Sequence, residues 1–216
     1  MSAAGWAVLV LIASWVLRTY FRARNAKAHD HLDWDRVISE YREALRLNPK
    51  MDVAHANLGW VLRNRGDLDG AMAEYREALR LNPKNERAHH FLAVALAEKR
   101  DWDGAIPEYR EVLRLNPKDA DSHAQLGWAL EMKGDWDGAI AEYREALRLN
   151  PSYADAHARL GWALVMKGDL DGAIAEYREA LRLNPDHGGA HHLLAVALGN
   201  KGDWRGRQRK SARHSA

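Results

Sequence analysis

The hydrophobic positions along the chain follow a helical spacing in one short segment. Segment 138–151, GAIAEYREALRLNP, places its apolar residues three and four positions apart, which puts them on one face of an α-helix. These residues are Ala139, Ile140, Tyr143, Ala146 and Leu147. Asp135 stands where an N-cap is expected, and Pro151 should end the helix because it lacks a backbone N–H and restricts the residue before it. The pattern predicts an amphipathic helix with one buried face.

A second apolar helical pattern precedes the first. His123, Leu126, Gly127 and Leu130 share one helix face, and Gly134 follows where a left-handed C-terminal cap is expected. The two patterns together predict a unit of helix, turn and helix.

This unit recurs along the chain. Segment 138–151 returns unchanged at 172–185 and with one substitution at 70–83, and looser copies occupy 104–117 and 36–49. The prolines that close the copies are spaced 34 residues apart, and they are Pro49, Pro83, Pro117, Pro151 and Pro185. Because two short helices cannot bury their apolar faces alone, successive units must stack to create a continuous core.

The repeat resembles the tetratricopeptide repeat family, whose 34-residue signature is W-x2-L-G-x2-Y, then A-x3-F, then P. The residues that match its positions in one unit are His55, Leu58, Gly59, Leu62, Ala71, Tyr75 and Pro83. The same register holds from His123 and His157, whereas the unit that begins near His89 has Ala93 in place of glycine. The resemblance implies an all-α fold, a right-handed α-solenoid whose first helices line a concave groove that binds peptides or helices.

This register predicts the domain organisation. Four full units span 52–85, 86–119, 120–153 and 154–187, after a degenerate first unit at 22–51 and before a partial unit at 188–203 and a basic tail at 204–216. Arg100 replaces the glycine found at Gly66, Gly134, Gly168 and Gly202, where a positive φ is expected. Pro107 lies early in the following helix and removes one hydrogen bond. We therefore expect unit 86–119 to be the least stable.

The N-terminal residues predict an additional apolar helix. Segment 1–17 has no charged side chain, and a helix of that length reaches about 26 Å, against about 30 Å for a bilayer core. With the next four residues it predicts a transmembrane anchor over 1–21. The alternatives are a cleaved signal peptide, which the absence of a basic n-region disfavours, and a helix buried against the repeats. Four basic residues follow the uncharged segment 1–17 and predict that the repeats lie in the cytoplasm, as in a protein of a bacterial inner membrane; they are Arg18, Arg22, Arg24 and Lys27.

Composition narrows the function classes. The 216-residue chain has 32 basic and 30 acidic side chains, so no global field indicates a nucleic-acid or acidic partner. The absence of cysteine excludes disulfides, thiolate catalysis and cysteine-ligated metal sites. No phosphate-binding glycine loop, nucleophile elbow or HExxH motif is present. We expect a protein that is not an enzyme and needs no cofactor.

The resemblance also predicts which residues face the groove. Five lie at one position of successive first helices: Trp60, Val94, Trp128, Trp162 and Val196. Around them are side chains of mixed charge: Arg63, Asn64, Arg87, His90, Glu98, Asp121, Glu131, Asp155, Arg159 and His192. Tryptophans on such a wall would form binding hot spots, or they would fill gaps between the first helices.

A column of histidines raises the question of a metal site. The column consists of His55, His89, His123, His157 and His191. Zinc needs nitrogens about 2.0 to 2.1 Å from one centre, whereas packed helices lie about 8 to 10 Å apart at their axes. We interpret the column as packing residues and expect no metal.

These observations predict a membrane-anchored scaffold that binds a peptide or helix of a partner protein in its groove, as an assembly factor for an envelope complex would. Two alternatives stay open. The unfinished last unit could dock onto another copy and form a homo-oligomer. A basic tail could bind nucleic acid or anionic lipid, through Arg205, Arg207, Arg209, Lys210 and Arg213.

Overall fold

The computed structural model of the protein describes residues 33–214, with side chains from 33 to 202, and this part of the chain forms ten α-helices. They are α1 (Trp34–Leu47), α2 (Asp52–Arg65), α3 (Leu68–Leu81), α4 (Glu86–Glu98), α5 (Trp102–Leu115), α6 (Ala120–Met132), α7 (Trp136–Leu149), α8 (Ala154–Met166), α9 (Leu170–Leu183) and α10 (Gly188–His214). The all-helical repeat architecture is confirmed within these residues. None of these helices is long and apolar enough to cross a bilayer, and the predicted anchor over 1–21 lies outside the described residues.

The helices form a stack of hairpins. Each even-numbered helix is the first helix of a unit and packs against the second helix of the unit before, and α2, α4, α6 and α8 also pack against the second helix of their own unit. Neighbouring first helices also contact one another, α2 with α4, α6 with α8 and α8 with α10, whereas neighbouring second helices do not approach as closely. The first helices therefore form the inner row of the stack and the second helices form the outer row.

Each second helix begins at an aspartate cap. The carboxylate of Asp135 accepts a hydrogen bond of 3.0 Å from the backbone N–H of Gly138, and Asp67, Asp101 and Asp169 cap α3, α5 and α9 in the same way. Such a cap satisfies one of the free N–H groups of the first turn. The predicted cap at Asp135 is confirmed.

The core is built on the close approach of a tyrosine to a glycine. A Cβ added to Gly127 would lie 2.8 Å from Cε1 of Tyr143, and Gly59 and Gly161 face Tyr75 and Tyr177 in the same way. These helical glycines are required because the tyrosine ring occupies the space of their side chain. The rings are fully buried, and each fastens the second helix of a unit to its first helix.

The unit 86–119 has both predicted irregularities. Arg100 has a φ of 60°, and the matching Gly66, Gly134 and Gly168 have φ values of 95°, 78° and 84°, so the predicted left-handed position is confirmed. Pro107 lies inside α5, which nevertheless continues to Leu115.

The C-terminal end differs from the prediction. Gly202 was expected to turn the chain as the other three glycines do, and a separate basic tail was expected over 204–216. Instead α10 runs through Gly202 to His214. No proline follows Gly202, and the sequence RQRKSAR consists mostly of good helix formers. It also lacks the apolar stripe that would hold a returning second helix against α10.

The histidine column forms polar clamps. In each full unit the histidine places Nδ1 2.6 Å from a glutamate of the second helix, in the pairs His55–Glu74, His89–Glu108, His123–Glu142 and His157–Glu176. The other ring nitrogen of His89 lies 3.1 Å from the carbonyl oxygen of Pro83. A carboxylate and a carbonyl both accept hydrogen bonds, so the imidazolium, which donates from both nitrogens, fits best.

The charge on His89 is consistent with that geometry. Burial opposes a positive charge, but the hydrogen bonds to Glu108 and to the Pro83 carbonyl outweigh it and raise the pKa of His89. The column therefore links helices within and between units by hydrogen bonds, where the sequence had predicted packing alone. No group of three acidic or histidine side chains suited to a metal ion occurs within residues 33–202.

Candidate protein-binding groove

The inner row of first helices presents tryptophans in two different environments. Trp60 contacts Trp34 edge to face with centroids 6.3 Å apart, and Trp128 contacts Trp102 at 5.0 Å. Both partners lie at the start of the preceding second helix, so these two tryptophans pack between units. Trp162 is half-buried and is not among the described side chains that pack against the core clusters. Of the three tryptophans predicted to line the groove, it is therefore the most available to a ligand.

Charged side chains in the groove are paired across units. Arg63 on α2 donates from Nε to Glu98 on α4 at 3.0 Å. Glu131 on α6 is buried and lies 3.7 Å from the guanidinium of Arg159 on α8. The Arg159 guanidinium also lies 5.4 Å from the centre of the Trp128 ring, a cation–π geometry. This pairing leaves the middle of the groove without a strong excess of either charge.

A tyrosine of the outer row supports the buried carboxylate of Glu131. The hydroxyl of Tyr143 donates to Glu131 at 2.6 Å. The hydroxyl of Tyr109, which belongs to the unit before, donates to Gln125 at 2.7 Å. Burial, together with the hydrogen bond to Glu131, raises the pKa of Tyr143 well above its usual value. The phenol therefore stays protonated and keeps donating.

The α4 part of the groove is aromatic. The guanidinium of Arg87 lies 5.6 Å from the centre of the Phe91 ring, and His90 meets Phe91 and Tyr109 edge to face. Burial lowers the pKa of His90. His90 is thus a neutral group in this wall at neutral pH.

A pocket of about 200 Å³ opens between α6 and α8. Its lining combines an aromatic wall with small residues and polar side chains: Ala124, Gln125, Trp128, Tyr153, Asp155, Ala156 and Arg159. The described part of the chain therefore places a concave site with convergent polar groups on the inner row, in the middle of the stack.

The remaining predicted groove residues are spread along the first helices. The side chain of Asn64 donates to the Trp60 carbonyl of its own helix at 2.7 Å, and Val94 is half-buried against the core. Asp155 lies 3.1 Å from Nε2 of His187. The others are exposed, and they are Asp121, His192 and Val196. The predicted set therefore belongs to one row of helices but contains both paired and open side chains.

Several groups at the groove were not predicted from the sequence, including Phe91, Gln125 and the hydroxyls of Tyr109 and Tyr143. A signal for the first-helix residues is present in the repeats themselves. One first-helix position reads Asn57, Phe91, Gln125, Arg159 and Leu193, while the second helices are nearly identical. Most of the positions that differ between units are on the first helices, which the structure places in the inner row.

Comparison with known proteins agrees with this architecture. A family model described as tetratricopeptide repeat matches residues 90–154, 125–188 and 158–204, and another, described as TPR repeat, matches 59–100. No curated protein gives a significant match.

Several solved structures have the same fold. A crystal structure of MamA is 24% identical over 71% of this chain and 90% of that chain, with a TM-score of 0.69. YrrB, described as a TPR protein with an unusual peptide-binding site, is 24% identical over 74% of this chain and 82% of that chain, also with a TM-score of 0.69. MamA from Desulfovibrio magneticus RS-1 is 20% identical over 84% of this chain and 97% of that chain, with a TM-score of 0.72. The family models together cover more than half of the residues, and the chain belongs to the tetratricopeptide repeat family.

Proposed function

We propose that this protein is a scaffold that binds a peptide or helix of a partner protein along the inner row of first helices. In this proposal residues 1–21 anchor the scaffold in a membrane, the repeats lie on the cytoplasmic side, and the protein acts as an assembly factor for an envelope complex. It performs no chemistry of its own.

The observation that carries the proposal is the contrast between the two rows of helices. The second helices keep almost the same sequence in every unit, whereas a first-helix position that is partly or fully exposed changes type, as in Asn57, Phe91, Gln125 and Arg159. A row that served only to support the stack could be as uniform as the outer one. The variation supports a surface shaped for a particular ligand.

The groove chemistry indicates the class of ligand. In each of the cross-unit pairs Arg63–Glu98 and Arg159–Glu131, the two opposite charges largely cancel. A highly charged peptide would therefore gain little binding energy there. Trp162 and the pocket beside Trp128 offer apolar contact area next to polar groups, which favours an amphipathic segment. YrrB, which shares the fold, is described as having a peptide-binding site.

The proposal is tested by capture from native membranes with the full chain as bait and two matched variants. Trp162→Ala removes a half-buried groove side chain, and we expect it to reduce capture of the partner at least tenfold with little change in melting temperature. Leu147→Ala removes a leucine that packs on the core late in α7. This control should lower the melting temperature of the protein. At temperatures where it stays folded it should still capture the partner, because α7 belongs to the outer row.

If each of the two variants loses capture of the partner only in proportion to its loss of stability, the result would contradict groove binding. So would full capture by Trp162→Ala. Reproducible, groove-dependent capture of one protein would in turn identify the partner.

A further inference from the structure

The last first helix, α10, is buried on only one of its two packing faces. The face toward α9 is closed, with Ala190 and Ala197 almost fully buried. The face that in other units meets the unit's own second helix is open. Leu198 on this face is 43% exposed, whereas the matching Leu164 is 6% exposed, and Ala195 is exposed where Gly161 is buried.

The complete units show what covers this face. In the unit of α8 and α9, the Tyr177 ring lies against Gly161, and Glu176 accepts a hydrogen bond from Nδ1 of His157. Ile174, on the same helix face, is also buried. The covering element is therefore an amphipathic helix with the order Ala-Ile-x-Glu-Tyr.

In α10 the matching histidine makes one of its two polar contacts. Nε2 of His191 lies 2.7 Å from the Pro185 carbonyl oxygen, as in the other units, but no carboxylate of the described residues contacts its Nδ1. Farther along α10, a cavity of about 380 Å³ lies between α9 and α10 and is lined in part by Ile174, Arg178 and Leu198. Residues 203–214 extend α10 and do not form a returning helix.

We propose that this face is a second binding site, which receives one amphipathic helix of another polypeptide and so completes the last unit. The incoming helix carries a glutamate followed directly by a tyrosine, with an alanine and an isoleucine three and two positions before the glutamate. The glutamate binds Nδ1 of His191, the tyrosine lies on Ala195, and the isoleucine packs on Leu198. This site is separate from the concave groove.

A second copy of the chain fits this site less well. The apolar faces of the five second helices, α1, α3, α5, α7 and α9, are already buried, with each tyrosine at most 4% exposed, so none is free to be donated. Pairing of two α10 helices would bring His191 no glutamate, because residues 188–214 contain none and their only carboxylate is that of Asp203. The open face therefore fits a glutamate-bearing helix from a different chain better than the α10 helix of a second copy.

The test uses a fluorescent peptide with the sequence of residues 135–151 and measures its binding to the full chain by anisotropy. We expect saturable binding, weakened at least tenfold by Leu198→Glu. The matched control Leu47→Glu alters a leucine of α1 that is 65% exposed, and it should change the affinity less than twofold. A peptide with Glu142→Gln should bind several-fold more weakly, because it loses the charged partner of His191.

A second protein variant protects the test against misfolding. When residues 203–216 are replaced by the sequence of 169–185, the unit is completed within the chain and peptide binding should disappear. Absence of binding to the natural chain, equal binding to Leu198→Glu, or binding retained by the completed chain would each overturn the proposal. If the protein forms a dimer that Leu198→Glu dissociates but the peptide does not, the occupant of the site is a second copy and the proposal is overturned. The variant Trp162→Ala distinguishes this site from the groove. It removes a groove side chain, and it should leave binding of the peptide to α10 unchanged.

Discussion

The four buried tyrosines of the full units occupy the same position but differ at their hydroxyl groups. Tyr109 and Tyr143 donate to Gln125 and Glu131, whereas the hydroxyls of Tyr75 and Tyr177 are buried without a hydrogen-bond partner. A buried polar group without a partner costs about 1 to 3 kcal/mol. The same substitution should therefore have different effects in different units.

Removing the hydroxyl tests this difference. Tyr143→Phe leaves Glu131 buried without its donor, and we expect the free energy of unfolding to fall by about 1 to 3 kcal/mol. Tyr177→Phe removes an unpaired hydroxyl and should leave stability unchanged or raise it by up to about 1 kcal/mol. Urea denaturation measures both. Equal losses in the two variants would show that the hydroxyls do not distinguish the units.

Arg100 provides a second residue-scale prediction. Its left-handed backbone costs an ordinary residue about 1 to 2 kcal/mol, so Arg100→Gly should raise the free energy of unfolding by about 1 kcal/mol after the entropy of glycine is included. The reciprocal Gly134→Arg places a side chain where a Cβ meets nothing within 4 Å, so its cost is that of the backbone alone. We expect thermal denaturation to show changes of opposite sign, and two changes of the same sign would contradict this account.

At the scale of single helices, the sequence predicted most of what the structure contains. The stripe of Ala139, Ile140 and Tyr143 and the cap at Asp135 determine where α7 forms, because these signals are local. The sequence could not show that His123 binds Glu142. The two residues are 19 positions apart, and their contact depends on how the two helices are oriented toward each other. The extension of α10 was also missed, because Gly202 was assigned by analogy with glycines that a following helix holds in a turn.

We expect Pro107 to make α5 the least stable of the five second helices. Pro107→Ala restores a backbone donor that can bond the Asp103 carbonyl, and we expect it to stabilise the protein by about 1 to 3 kcal/mol, since interior proline costs about 3 kcal/mol relative to alanine. Hydrogen exchange should find unit 86–119 the least protected of the four full units, and Pro107→Ala should raise its protection. Finding that unit best protected would refute the prediction.

The clamp between α4 and α5 should make stability depend on pH. The folded-state pKa of His89 is raised above 6.5 by Glu108, the Pro83 carbonyl and Glu111, against the effect of burial. Its contribution is therefore complete below pH 6.5 and is lost as the pH rises through the folded-state pKa. The difference in free energy of unfolding between the natural chain and His89→Gln should therefore shrink as the pH rises above 6.5. A difference that grows with pH would have the wrong sign.

At the scale of the whole molecule, stacking creates surfaces that no single unit contains. Residues 35 positions apart, Arg63 and Glu98, meet only because α2 and α4 are neighbours in the inner row, and Arg159 reaches Trp128 for the same reason. The sequence predicted that these residues share the groove, because the repeat register assigns them to it. It could not predict their pairing, which depends on the spacing and rotation of adjacent units.

The central claim is that the inner row of the stack recognises another polypeptide and that the outer row supports it. Site-specific photocrosslinking in native membranes tests this claim most directly, with a photoreactive residue at Asp155 in the groove or at Arg144 on the exposed face of α7. The account predicts a discrete crosslinked partner from position 155 and none from position 144. Crosslinking from position 144 alone, or equally from both positions, would contradict it.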